Sequence, residues 1–302
     1  MKRNIHQFIG IILFILFFFT HFYHGMESIS WVEILIELAV LVLVPIGLIT
    51  LNRWQKNQNF WLISAVLFTI SYFIEPSIIA GILAIPWILF AAYLVIQPLT
   101  ELFSTEKRTL TQGIEVLTFI FLAIGGAWAF ADRISFRPLD FDPIIVLLTV
   151  AHFHYAGFLL ALVTALALKN QEDTFAKIVG WLVIAGTPLV ATGITTSQLG
   201  MPFWIEIVAV TVMALGGMGV GFLHFKRAKG KYNLLWKVGA VGLCCGMILA
   251  MMYGWRYVFP NEWLAIPKMY AYHGTVNSVS LGLILLGYYL NVPVALAAKV
   301  KK

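Results

Sequence analysis

Charge is what this sequence has least of. Only 11% of its 302 residues are Asp, Glu, Lys or Arg, where a soluble domain carries about 25%, so a water-soluble fold is excluded. The net charge of +6 is not a nucleic-acid footprint, because the bases fall in short segments between apolar runs, where they set membrane orientation. Cysteine is nearly absent. Cys244 and Cys245 are adjacent, and neighbours on a helix point about 100° apart, so they offer neither a disulfide framework nor a C-x-x-C metal pair. They read as small packing residues. There is no low-complexity segment, no polar linker and no visible repeat. The glycine run Gly216-Gly217-Met218-Gly219-Val220-Gly221 follows no strand pattern, which excludes a nucleotide loop and leaves close helix approach as its use.

Apolar residues fill the space. They make up 61% of the chain, and mean hydropathy is +0.89. Continuous apolar runs near twenty residues recur from end to end, which predicts an all-α, polytopic bundle of transmembrane helices; barrels need short alternating strands instead. Ten spans are expected, at roughly 8–23, 32–51, 60–74, 77–97, 112–131, 144–168, 176–197, 203–224, 234–257 and 270–290, within one integral membrane domain covering 1–302. Spans three and four are divided by Glu75-Pro76-Ser77, read as a tight turn because proline disfavours helix at the preceding residue. Met1-Lys2-Arg3 ahead of Phe8 to Tyr23 resembles a signal peptide, but His21 to His24 offer no small-residue cleavage site, so a retained first span is expected. With both termini cytoplasmic, Arg133, Arg137, Arg256 and Lys268 lie outside and the other Lys and Arg of the 20 lie inside, as the positive-inside rule requires. The densest inner stretch, Lys226 to Lys231, reads as a topology signal, as does Lys299 to Lys302. The expected location is a cell membrane.

Against this background, ionisable side chains within spans stand out. Lipid offers them no hydrogen-bonding partners, so each is a candidate for function. The block Thr149 to Phe158, T-V-A-H-F-H-Y-A-G-F, carries His152, His154 and Tyr155. Span two holds Glu33 and Glu37, four apart on one face. Span eight holds Glu206, and span ten holds Tyr270, His273 and Asn277. All four spans run from outside to inside, with these residues in their first halves. Glu37 is placed about 8 Å and His154 about 15 Å below the outer end. One shared site in the outer half of the membrane is inferred.

His152, His154, Tyr155, His273, Asn277, Glu37 and Glu206 are its candidate reacting groups. His152 and His154 lie two apart, about 200° around a helix, so one should face a cavity while the other bonds a neighbouring helix. Glu33, Trp87, Thr187, Pro188, Thr192, Tyr253, Arg256 and Tyr270 are candidate substrate contacts; Pro188 kinks span seven and could widen a cavity. Asp132, Arg133, Arg137, Asp140 and Asp142 read as a wet, self-paired outer loop. No cofactor is expected. The one metal arrangement available joins His154, His273 and a glutamate from separate helices, without ligand spacing in any single span.

Glu37 with Leu41 to Pro45, the block His152 to Phe158, and His273-Gly274 with Asn277 together resemble the YndJ-like family of bacterial membrane proteins. Gly186-Thr187-Pro188 with Ala191, Thr192 and Gly193 also resembles that family's intervening span. Asn277-Ser278-Val279-Ser280 departs from it where a small residue and then glycine are expected. The resemblance implies a fold group and no reaction, with transport as a loose label on some members.

Two functions stay open. One is acid–base chemistry on a lipophilic small molecule, such as a lipid or isoprenoid, entering from the bilayer, with His154, His273, Glu37 and Glu206 as acid and base. The other is a transporter or proton-coupled permease titrating the same residues. A pocket ending at mid-depth favours the first, and a polar track reaching the cytoplasm favours the second.

Overall fold

The structure is a computed structural model and describes residues 5–291. Among these residues there are ten long helices: α1 (Ile5–His24), α2 (Ile29–Thr50), α3 (Trp54–Ser71), α4 (Ile78–Ser104), α5 (Leu110–Arg133), α6 (Pro143–Asn170), α7 (Thr174–Gln198), α8 (Trp204–Arg227), α9 (Asn233–Gly254) and α10 (266–291). Eight are long and apolar enough to cross a bilayer. The other two are α3, which starts Trp54-Gln55-Lys56-Asn57, and α10, which carries the polar row His273, Asn277, Ser278 and Ser280.

Both of these still run between the same two faces as the rest. On one face Arg53, before α3, donates to Glu101 at 2.6 Å and to Glu115 at 2.6 Å, while Tyr288 near the end of α10 meets Asn170 and His224. Asp173 caps α7 there. Its carboxylate accepts from the Ala176 amide at 2.8 Å and from Arg227 at 2.7 Å, and these two contacts hold it below the usual carboxylate range. On the other face Ser77 N–H donates to Arg133 O at 2.7 Å, Tyr270 bonds Glu27 O, and Ser197 meets Tyr257. Turns therefore alternate between faces, and Ile5 and Asn291 lie on the same, lysine-rich side, the inner one by the positive-inside rule. Lys2, Arg3 and Lys299 to Lys302 lie outside the described residues.

The bundle is built around α2 and α6: 72% of an apolar 18-residue stretch in each is buried inside the protein, against 11% in α1. Lipid tails are as apolar as leucine, so helices associate through close packing of small residues rather than through the hydrophobic effect. The glycine run does this on α8: Gly216 and Gly219 rest on α7, and Gly217 and Gly221 on α9.

Three helices contain a wide π turn: Ala39–Leu43 in α2, Phe153–Leu159 in α6 and Tyr270–Gly274 in α10. The first has a cause in the sequence. Pro45 has no N–H and its ring crowds the carbonyl four residues back. Val44 N–H consequently bonds Ala39 O, which leaves Val40 O without a donor at either of its helical positions. Trp61, fully buried on α3, supplies one, with Nε1–H to Val40 O at 3.0 Å. Trp61→Phe keeps most of the packing and orphans that carbonyl. It is expected to lower stability by about 1–3 kcal/mol, read as a fall in detergent melting temperature; unchanged melting would mean that lipid or water replaces the indole.

Candidate functional site

Each of these wide turns adjoins one of the polar residues read from the sequence. π turns concentrate at functional sites because the inserted residue re-aims the side chains beside it. In α6 the π turn begins at Phe153, between the two histidines. His152 and His154 face opposite sides.

His152 faces a cavity of about 210 Å³ enclosed by α2, α6, α7, α8, α9 and α10. Its walls are mostly aliphatic, with Val32, Leu35, Leu148, Val190, Ile194 and Met247 among them. The outer rim holds Ser197, Gln198, Glu206, Tyr253 and Arg256. The floor is Leu160, Met213, Ala214 and Leu281, and below it Val163, Ile284 and Leu285 are fully buried. Leu160 is the eighteenth residue of the 28 in α6, so the cavity closes just past the middle of the bundle.

The rim is an ion pair. Arg256 donates to both oxygens of Glu206, at 2.6 and 3.1 Å, and also to Tyr253 O and the Tyr257 hydroxyl, each at 2.9 Å. Its guanidinium lies 4.1 Å from the Tyr253 ring centre and 4.3 Å from that of Tyr257. Glu206, a candidate reacting group, and Arg256, a candidate substrate contact, are thus paired with each other.

Deeper in, His152 Nδ1 donates to Leu148 O at 2.8 Å. A carbonyl can only accept, so Nδ1 carries the proton and Nε2 of the neutral ring presents a lone pair to the cavity. His273 Nδ1 likewise donates to Gly246 O at 2.8 Å. Asn277 Nδ2 lies 3.2 Å from His273 Nε2, and its Oδ1 is buried without a hydrogen-bond partner. Tyr155 donates to Leu35 O at 2.6 Å and so ties α6 to α2; Ser278, bonded to Gly274 O at 2.7 Å, lies beside it. His152, Tyr155, Glu206, Tyr253, Arg256, Tyr270, His273 and Asn277 therefore share one cavity.

The remaining candidates do not line it. His154 is fully buried and satisfied at both ring nitrogens: Nδ1 donates to Val150 O at 2.8 Å, and Nε2 accepts from Trp87 Nε1–H at 3.1 Å. Trp87 lies edge to edge with that imidazole, the two ring planes 13° apart, so both act as an α4–α6 clasp rather than as a reacting group and a substrate contact. Thr187 lines a separate cavity of about 90 Å³ that adjoins the first at His152, while Pro188 and Thr192 lie on the exposed side of α7. No group of three or more His, Cys, Asp or Glu among the described residues could hold a metal ion, and the His154/His273 arrangement is not formed.

Glu33 and Glu37 belong to a second polar cluster. Glu37 is fully buried; one oxygen accepts from Thr69 at 2.7 Å and the other is unpaired. Nearby, Arg133 is buried, bonded to Asp132 at 2.8 Å and set 4.5 Å from the Tyr72 ring centre. The outer loop expected to be wet thus starts with a pair that the bundle encloses, because Arg133 and Asp132 end α5 inside the packed helices rather than beyond them.

One part of the site escaped the sequence reading. Gly242-Leu243-Cys244-Cys245-Gly246 on α9 is a G-x-x-x-G row, the signal for close helix approach. A Cβ at Gly246 would stand 1.9 Å from Asn277 Oδ1, and one at Gly242 2.3 Å from Ser280 Oγ. The two glycines admit the polar row of α10.

The sequence profile of the YndJ-like protein family matches residues 34–281, from α2 into α10. A relative described as an uncharacterized membrane protein YndJ, from Bacillus subtilis (strain 168), is 26% identical over 209 residues, which is 66% of this chain and 36% of the relative. The chain thus spans about a third of the length of that curated relative. No solved structure matches. With a profile match over most of the bundle and apolar helices throughout, the chain is a multi-pass bacterial membrane protein that belongs to the YndJ-like family.

Proposed function

We propose that the cavity takes up a small lipophilic molecule from the outer half of the membrane and that His152 exchanges a proton with it. The observation that carries this reading is the blind shape of the cavity: a polar rim, two imidazoles midway, and an apolar floor backed by packed leucines and isoleucines. A volume of about 210 Å³ lies below the range for drug-sized ligands and suits one short apolar chain or ring system. His152 Nε2 is the base in this reading, since its tautomer is fixed by Leu148 O and its lone pair faces the cavity. His273 and Asn277 position the α9–α10 wall, and Tyr155 holds α6 to α2. Transport through the same residues would need a polar continuation directly below Leu281, where Val163, Ile284 and Leu285 are hydrocarbon and fully buried.

The test is mass spectrometry of molecules that co-purify with the protein in mild detergent. Wild type and His154→Phe, the latter altering the clasp behind the cavity, are expected to retain a common lipophilic species. Filling the cavity with Ala209→Phe is expected to reduce its occupancy at least tenfold. A species retained equally by Ala209→Phe, or none in wild type, would remove the basis for the proposal.

A further inference from the structure

We infer that the molecule accepted by this cavity is uncharged and carries a hydrogen-bond donor on an otherwise apolar body, an alcohol being the simplest case. This rests on the reading of the cavity as a lipophilic binding site and adds the polarity of what it takes.

The inference follows from which polar atoms are already spent. The two formal charges on the cavity wall are Arg256 and Glu206. They neutralise each other through two hydrogen bonds, and two further donors of Arg256 go to Tyr253 O and the Tyr257 hydroxyl, which leaves only its Nε–H. An anionic headgroup would have to break that pair and strand Glu206 in its place. Further in, the donors are also used. Tyr155 gives its proton to Leu35 O, Thr149 to Ile145 O, Ser278 to Gly274 O, and both imidazole Nδ1–H groups give theirs to carbonyls.

Two polar atoms in the inner half are left without a partner, and both are acceptors. They are His152 Nε2 and Asn277 Oδ1, the second turned onto Gly246. In this inner half a carboxylate or phosphate would meet lone pairs and no spare hydroxyl or imidazole donor, the Tyr253 hydroxyl and Gln198 amide being out at the rim. An ammonium would leave water for a hydrocarbon cavity with one reachable neutral acceptor, a loss that a single hydrogen bond does not offset. A neutral hydroxyl satisfies His152 Nε2 and leaves the rest of the molecule against aliphatic walls.

Four probes with the same ten-carbon chain separate these cases: decane, decanol, decanoate and decylammonium. Native mass spectrometry of the detergent-solubilised protein would give the occupancy of each as a function of concentration. In wild type, decanol is expected to half-saturate at a concentration about 3- to 10-fold lower than decane, the range of one net hydrogen bond, and the two ions at higher concentrations than either. In His152→Phe, decane binding should persist while the preference for decanol disappears; in His152→Gln, which keeps an acceptor, the preference should survive. Decanoate or decylammonium binding as tightly as decanol would overturn the inference while leaving a lipophilic cavity in place. An undiminished decanol preference in His152→Phe would do the same. If none of the four probes binds wild type, the proposed function fails and takes this inference with it. If His152→Phe also loses decane, His152→Gln decides: an absent decanol preference there overturns the inference.

Discussion

Gly246→Ala is expected to destabilise the protein by about 1–3 kcal/mol, the cost of adding a group to a filled interface, although alanine ordinarily favours a helix over glycine. The added Cβ would lie 1.9 Å from Asn277 Oδ1, well inside contact distance. Asn277 has nowhere simple to go: its amide nitrogen is held at His273 and its side chain is buried. Either α9 and α10 separate or Asn277 changes rotamer and loses His273. Shortening the obstructing side chain should relieve the clash. The double variant Gly246→Ala/Asn277→Ala is therefore expected to melt above the sum of the two single losses, as in a double-mutant cycle with strong coupling. Additive losses would show that the two helices do not meet at this point.

Arg133→Met should cost more, about 3–5 kcal/mol, because it breaks a buried ion pair from one side only. The side chains of Arg133 and Asp132 are 5% and 10% exposed, so solvent screens little of the loss. Methionine restores volume over the Tyr72 ring but leaves Asp132 facing Tyr72 and Glu33 without a cation. Arg133→Met/Asp132→Asn removes the stranded charge and is expected to recover much of the stability. If Arg133→Met melts like wild type, the pair is solvated at the membrane surface and the enclosed cluster does not exist.

Much of the helical architecture could be read from the sequence because length and apolarity decide it. The turn at Glu75 to Ser77 and the lysine asymmetry were legible for the same reason. The sequence placed the polar residues of four spans in the outer half of the membrane, and His152, Tyr155, Glu206, His273 and Asn277 among them line one cavity. Azimuth was not legible. Nothing in the order of residues says that His154 turns toward Trp87, or that Glu37 turns toward Thr69 and away from the cavity. Those directions depend on π turns, which change the rotation of everything beyond them. Only the turn in α2 has a visible cause, Pro45; the structure gives no comparable local cause for those in α6 and α10. The Arg256–Glu206 pair joins α8 to the segment after α9, a partnership that side-chain type alone does not specify.

The floor of packed hydrocarbon at Leu160 and Leu281 has an electrical consequence. In the proposed reading, a proton reaching His152 would come from the outer medium and traverse only part of the transmembrane field. A full crossing is worth about 2.3 kcal/mol per 100 mV, so roughly half of that would bear on the exchange. Protonation at this depth would follow the acidity outside the cell and respond weakly to voltage, while the pH of the cytoplasm stays insulated from it.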